Sequence, residues 1–164
     1  MPPTEPEFDI HRLVDQMRMR ANETQTMTIQ RIKEYCPILV AYGVDTVKAE
    51  YDGEGDSGDM TVYVEQPRRP PIGNVVMSDE HRFAPTHDHI ELRRFIEKAP
   101  KIAGVTFGDQ QIDEFEDALF ALLPSAWEIN DGSFGEIVVK PAESTIYLQH
   151  NERYSEVNTS EYNW

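Results

Sequence analysis

Two alternating stretches on either side of a glycine-rich turn constrain this chain most. Along Thr46–Tyr51, Val47, Ala49 and Tyr51 fall on one side and Thr46, Lys48 and Glu50 on the other. Asp59–Glu65 alternates again, with Met60, Val62 and Val64 together. Period-two alternation marks a strand with one face buried. Between the two lies Asp52–Gly58, where Gly53, Gly55 and Gly58 accommodate a reversal. The pair predicts an antiparallel hairpin with a long acidic tip, and hence a sheet that needs cover on one face only.

The remaining segments extend that hairpin into a domain. Trp127–Ile129, Phe134–Lys140 and Thr145–His150 read as further strands, with Asn130-Asp131-Gly132 as a tight turn and Pro141–Ser144 as another. Phe8–Arg20 reads as one helix. A second is expected from a cap at Asn22 or Thr24 to about Tyr42, disturbed at Pro37 and stopped at Gly43. Gln66–His87 holds Pro67, Pro70, Pro71 and Pro85, a density that excludes regular structure. A short helix, His87–Lys98, capped by Thr86, is expected after it. Asp109–Leu123 is the strongest helix, with Asp109 as its cap and Ile112, Phe115, Leu119, Leu122 and Leu123 as an apolar stripe. Strands in hairpins without βαβ spacing define the fold class as α+β: an antiparallel sheet of about five strands with helices packed on one face. All 164 residues form one such domain, with the Pro-rich excursion at about 66–87 and a polar tail from about 151.

Charge narrows the function. The net charge is −15, and residues 101–164 carry twelve acids against Lys101, Lys140 and Arg153. No Lys or Arg lies between Ile102 and Val139. Such a field repels nucleic acid and anionic membranes and draws in basic partners or cations. The single cysteine, Cys36, allows no internal disulfide and fits a reducing compartment as a packing residue. Met1–Glu7 has neither a basic nor an apolar region of a leader, and no apolar run approaches the ~20 residues of a membrane span. A cytoplasmic location is expected.

Tyr51-Asp-Gly-Glu-Gly-Asp-Ser-Gly58, Trp127-Glu-Ile-Asn-Asp-Gly-Ser-Phe-Gly-Glu136 and His150-Asn-Glu-Arg-Tyr154, followed by Asn158-Thr-Ser-Glu-Tyr162, stand out together. This set resembles a family of uncharacterised bacterial proteins, a domain of unknown function, over roughly Glu23–Glu65 and Asp109–Tyr162. The excursion and the helix after it look like an addition to that pattern. The resemblance supports the fold and implies no activity.

Three constellations could carry chemistry. Asp52, Glu54, Asp56 and Asp59 alternate through the glycine-rich loop, as oxygen ligands for a hard divalent cation such as Ca or Mg would. Ser57 and Tyr63 stand where an EF-hand has Gly and Glu, and a hairpin tip accounts for the same residues. The Gly55-Asp56-Ser57-Gly58 run matches a serine-protease motif only superficially, because the chain is too short for that framework. His87 and His89 flank Asp88 and need a third ligand such as His81 to hold zinc. His150, at a strand end, could meet the loop carboxylates as a general base. No Walker loop, Rossmann fingerprint or Cys-x-x-Cys pair is present, and no catalytic residue is assigned.

The expected function is therefore non-enzymatic: an acidic binding or regulatory protein engaging a basic surface, in one form a nucleic-acid mimic of the anti-restriction or anti-CRISPR type. Asp113, Glu114, Glu116, Asp117, Glu128 and Asp131 are the expected partner-binding residues, and no cofactor is required. The alternative is a divalent-cation module, or a cation-dependent enzyme, using the Asp52–Asp59 loop.

Overall fold

The computed structural model describes residues 10–67, 87–129, 131–155, 159 and 161. In chain order the elements are α1 (Ile10–Ala41), β1 (Thr46–Glu54), β2 (Ser57–Pro67), β3 (His87–Glu91), α2 (Leu92–Lys98), α3 (Asp109–Phe120), β4 (Ser133–Lys140) and β5 (Thr145–Glu152), with a 3-10 turn at Pro141–Glu143. The strands form one five-stranded sheet in the order β3-β2-β1-β4-β5, every neighbour antiparallel. The α+β fold expected from the alternation is the fold observed. No helix among the described residues is long and apolar enough to cross a membrane.

Alternation decides which face is covered. Val47, Ala49, Val62, Val64, Ile137 and Val139 point to one side and pack with Ile32, Leu39, Leu92, Ile112, Phe115 and Leu119 of the helices. Phe115, Ile32, Leu39 and Leu119 are fully buried, each contributing about 1.5–3 kcal/mol of burial. The intervening residues, among them Lys48, Glu50, Asp52, Tyr63, Phe134 and Glu136, lie on the other face, and the apolar strand residues of the core all come from the first face.

Several boundaries differ from the sequence reading, each for a local reason. The expected Phe8–Arg20 and Asn22–Tyr42 helices are a single helix, with Phe8 outside the described residues. Thr24, Thr26 and Thr28 turn their hydroxyls back to the carbonyls of Arg20, Asn22 and Thr24 instead of capping a new start. Pro37 is accommodated inside α1. The stop at Gly43 is borne out: Val44 N–H donates to Leu39 O and Gly43 N–H to Val40 O, a Schellman ending.

His87–Lys98 is helical only from Leu92. His87–Glu91 is the fifth strand, because β2 runs on to Pro67 and offers an unpaired edge, against which His89 sits opposite Glu65. Trp127–Ile129 is not a strand: its carbonyls are taken up by loop contacts, with Ala126 at φ 64°. In α3 the N-cap is Gly108, whose N–H donates to Gln111, rather than Asp109, and the helix closes at Phe120. The polar tail begins later than expected, since Asn151 and Glu152 complete β5. Within the excursion, Gln66 and Pro67 belong to β2; Thr86, His81 and residues 68–86 lie outside the described residues.

Candidate binding groove

The expected long acidic tip is short. Glu54 pairs with Ser57, leaving only Gly55 and Asp56 between the strands, at φ 60° and 67°. Positive φ at both central residues is the type I′ geometry that matches strand twist. Below the turn, Trp127 lies on the covered side across the paired Gly53 and Gly58. A Cβ at Gly53 would come within 2.7 Å of the indole, and one at Gly58 would collide with it. Trp127 is itself held edge-on by Tyr51 (5.6 Å) and Phe120 (5.8 Å). The glycine pair thus makes room for an aromatic plug at the end of the sheet.

Hydrogen bonds join the loop to that plug. Asp56 N–H donates to Glu128 O (3.0 Å), and buried Ser133 Oγ donates to Trp127 O (2.7 Å). Arg153, just past β5, donates from Nη1 to Gly53 O (2.9 Å) and from Nη2 to Asp52 Oδ1 (2.8 Å). Its guanidinium lies 4.8 Å from the centre of the Phe134 ring. The segments around Tyr51–Gly58, Trp127–Glu136 and His150–Arg153, far apart in the chain, meet at one end of the sheet.

On the open face above this junction lies a groove of about 490 Å³, lined by Glu50, Asp52, Asp59, Thr61, Tyr63, Phe134, Glu136, Gln149 and Asn151. The register places them together: Asp52 opposes both Asp59 and Phe134, and Glu50 opposes both Thr61 and Glu136. Lys48 borders the carboxylates, 2.7 Å from Glu136, 3.7 Å from Glu65 and 3.8 Å from Glu50. The hydrogen bond its ammonium donates to Glu136 holds the Lys48 pKa above the ordinary lysine value despite partial burial. Four groove carboxylates face Lys48 and Arg153, so the groove keeps a negative excess beside the rings of Tyr63 and half-exposed Phe134.

The match to a known family is continuous from residue 27 to residue 164, and the family is described as Family of unknown function (DUF6878). This chain belongs to that family. No similar curated protein and no similar solved structure was found. The bounds of the DUF6878 match enclose the excursion and α2. All of the exposed N-terminal part of α1 except Met27 precedes the match.

Within this DUF6878 domain the expected site residues meet different partners. Asp113 and Glu116 are bound by Arg93 at 2.6 and 3.1 Å, and Asp109 lies 3.5 Å from the same guanidinium. Glu114 accepts from Tyr35 Oη (2.8 Å) and from Gln110 (3.2 Å), and these bonds lower its pKa. Asp117 is exposed. Glu128 turns inward, with Oε2 buried and without a hydrogen-bond partner among the described residues. Asp131 accepts from Ser155 N–H (2.6 Å).

Of the loop carboxylates, Asp52 is taken by Arg153, Asp59 accepts from Met60 N–H, and Asp56 sits at the turn. Glu54 is exposed on β1. Among the described residues no three His, Cys, Asp or Glu side chains converge to hold a metal ion. His89 Nε2 lies 3.1 Å from Glu65 Oε1, and His81 and the side chains of His87 and Asp88 lie outside what is described. His150 faces the covered side, where Nδ1 is 2.6 Å from Tyr51 Oη, and does not reach the loop acids. Cys36 is buried, and burial raises its thiol pKa.

Phe134, Glu50, Glu136, Thr61 and Tyr63 were not singled out from the sequence as site residues. Each occupies an outward position of an alternating strand, which is a signal available in the sequence, but only the β1–β4 pairing brings them together.

Proposed function

We propose that this protein is a non-enzymatic binding protein that takes a cationic segment of a partner into the groove on its open sheet face. The observation that supports this reading is the groove itself: Glu50, Asp52, Asp59 and Glu136 beside the rings of Phe134 and Tyr63, with fewer cations than carboxylates. Arg153 supplies an internal example of the chemistry, its guanidinium over Phe134 and bonded to Asp52. Arginine combines carboxylate pairing with stacking on an aromatic face, and lysine does so less well. Carboxylates fixed on a sheet also present charge as a phosphate backbone does. The full form of the reading is a nucleic-acid mimic that occupies the phosphate-binding surface of a nucleic-acid-handling protein, an inhibitor acting in the cytoplasm of a bacterium.

The divalent-cation alternative lacks comparable support, because Asp52, Glu54, Asp56 and Asp59 are spread over two strands and a turn. Titration with a short arginine-rich peptide tests the groove. NMR shifts are expected at Phe134, Tyr63 and Glu50, with affinity falling steeply as salt rises. Reversal of Glu50 and Asp59 to Lys should weaken binding by at least ~10-fold, or ~1.4 kcal/mol, with little change in Tm. Undiminished binding by that variant, or shifts confined to α3, would reject the groove.

A further inference from the structure

One stripe runs the whole length of α1, but among the described residues only its second half is covered. Ile10, Val14, Met17, Ala21, Thr24, Thr28, Ile32, Tyr35 and Leu39 follow one another at spacings of four and three, which puts them on a single helical face. Ile32, Tyr35 and Leu39 are buried in the core. From Ile10 to Met27, in contrast, every described side chain is exposed, including Ile10 at 61% and Met17 at 62%. The uncovered part is an arm of about 27 Å at 1.5 Å per residue.

The arm is a poor helix on its own. Thr24, Thr26 and Asn22 are weak helix formers, the threonine hydroxyls bond back to the backbone, and the described side chains of the stretch are exposed. A helix of this length is marginal without packing. The four-three spacing describes the partner such a stripe fits, a second straight helix.

We propose that the arm pairs antiparallel with the arm of a second copy of this chain, giving a two-fold dimer with the domains at opposite ends. The domain decides the direction. From Thr28 onward the stripe faces the body of its own protein, so a parallel helix would run into that body, whereas an antiparallel one ends against it. The side chains are self-complementary in that direction: Ile10 comes opposite Thr28, Val14 opposite Thr24 and Met17 opposite Ala21, large against small at each layer. Charge agrees. Residues 10–27 carry Arg12, Arg18 and Arg20 against Asp15 and Glu23, while the rest of the chain carries the acidic excess, so each slightly basic arm ends at an acidic body. Arg18 and Arg20 border the stripe, and each stands three residues from a carboxylate on its own helix, Asp15 or Glu23.

Sedimentation of the full chain from about 1 to about 100 μM tests the pairing, since a contact smaller than a standard interface gives a concentration-dependent dimer. Dimer and helical signal should rise together with concentration. The Val14→Glu, Met17→Glu double variant should be monomeric with the parent's Tm, because both side chains are exposed. Met19→Glu, on the opposite side of the helix, should still dimerise. A mixture of Ile10→Cys and Thr28→Cys proteins should form a mixed disulfide, with native Cys36 buried and silent. A monomer at every concentration, leaving the arm to a different protein, overturns the proposal. So does a dimer indifferent to Val14→Glu, Met17→Glu, or self-linking by Ile10→Cys in preference to the mixed pair.

Discussion

The molecule has two acidic regions that look alike in sequence and differ in structure. α3 carries Asp109, Asp113, Glu114, Glu116 and Asp117 within nine residues. Arg93 comes from α2 to bind Asp113 and Glu116, and Tyr35 comes from α1 to donate to Glu114. The sheet groove draws its acids from β1, β2 and β4, where Lys48 and Arg153 leave an excess and aromatic rings stand beside it. A run of carboxylates on a helix is therefore a poor guide to a binding surface. What sets the groove apart is that its acids converge from three strands beside the rings of Phe134 and Tyr63.

The harshest way to break this comparison is to remove the support of one side only. Gly58→Val sets a side chain into Trp127, which Tyr51 and Phe120 keep from swinging away. It should cost about 3 kcal/mol, the upper range of overpacking, and disorder the groove end while α3 keeps its signals. Gly55→Val should cost less, about 1–2 kcal/mol, because it forces only a positive φ on a β-branched residue. Gly55→Asn should be nearly neutral, since asparagine tolerates that region. Denaturant unfolding ranks the three. Equal losses at both glycines would mean that backbone conformation, not the Trp127 contact, explains the tip.

A milder test sets the two acidic regions directly against each other. If α3 were the binding surface, reversing Asp113, Glu114, Glu116 and Asp117 to Lys would abolish partner capture at unchanged stability. The pairings predict the opposite. Arg93 would face lysines where it had carboxylates, so stability should fall, by an amount kept small by the exposure of these groups. Binding of the arginine-rich peptide should survive. Lost binding at a constant melting temperature would restore the helix as the surface.

The same contrast shows what the sequence could disclose. The β1–β2 and β4–β5 hairpins were legible because Val47, Ala49, Val62 and Val64, or Ile146 and Leu148, alternate against polar neighbours. β3 was not, since His87-Asp-His-Ile-Glu91 has no such pattern and becomes a strand only by pairing with β2. Trp127–Ile129 has strand-like residues, but its carbonyls serve Asp56 and Ser133. The acids of the Asp52–Asp59 stretch were visible and their framing was not. Alternation shows that Glu50 and Phe134 face outward, yet the adjacency of β1 and β4 depends on a crossover that local patterns do not encode. Likewise Arg93 and Asp113 lie twenty residues apart, and only the docking of α2 on α3 pairs them.

The gentlest test probes the pairing at Glu114 through pH. The hydrogen bond from Tyr35, with that from Gln110, lowers the carboxyl pKa below its unfolded value. A depressed acid contributes stability that is present above the unfolded glutamate pKa and is lost as pH falls through the folded one. Tyr35 behaves oppositely. Burial first, and then the bond to Glu114, raises its pKa, so its contribution is present below the unfolded tyrosine value and is lost as pH rises through the raised folded value. Tyr35→Phe deletes both. The Tm difference between parent and variant should be largest across the neutral range and shrink toward either extreme, most clearly in acid, while the Tyr35 ring contacts with Phe107 and Phe115 persist in both proteins. A difference that stays constant into acid would mean that Glu114 gains nothing from Tyr35.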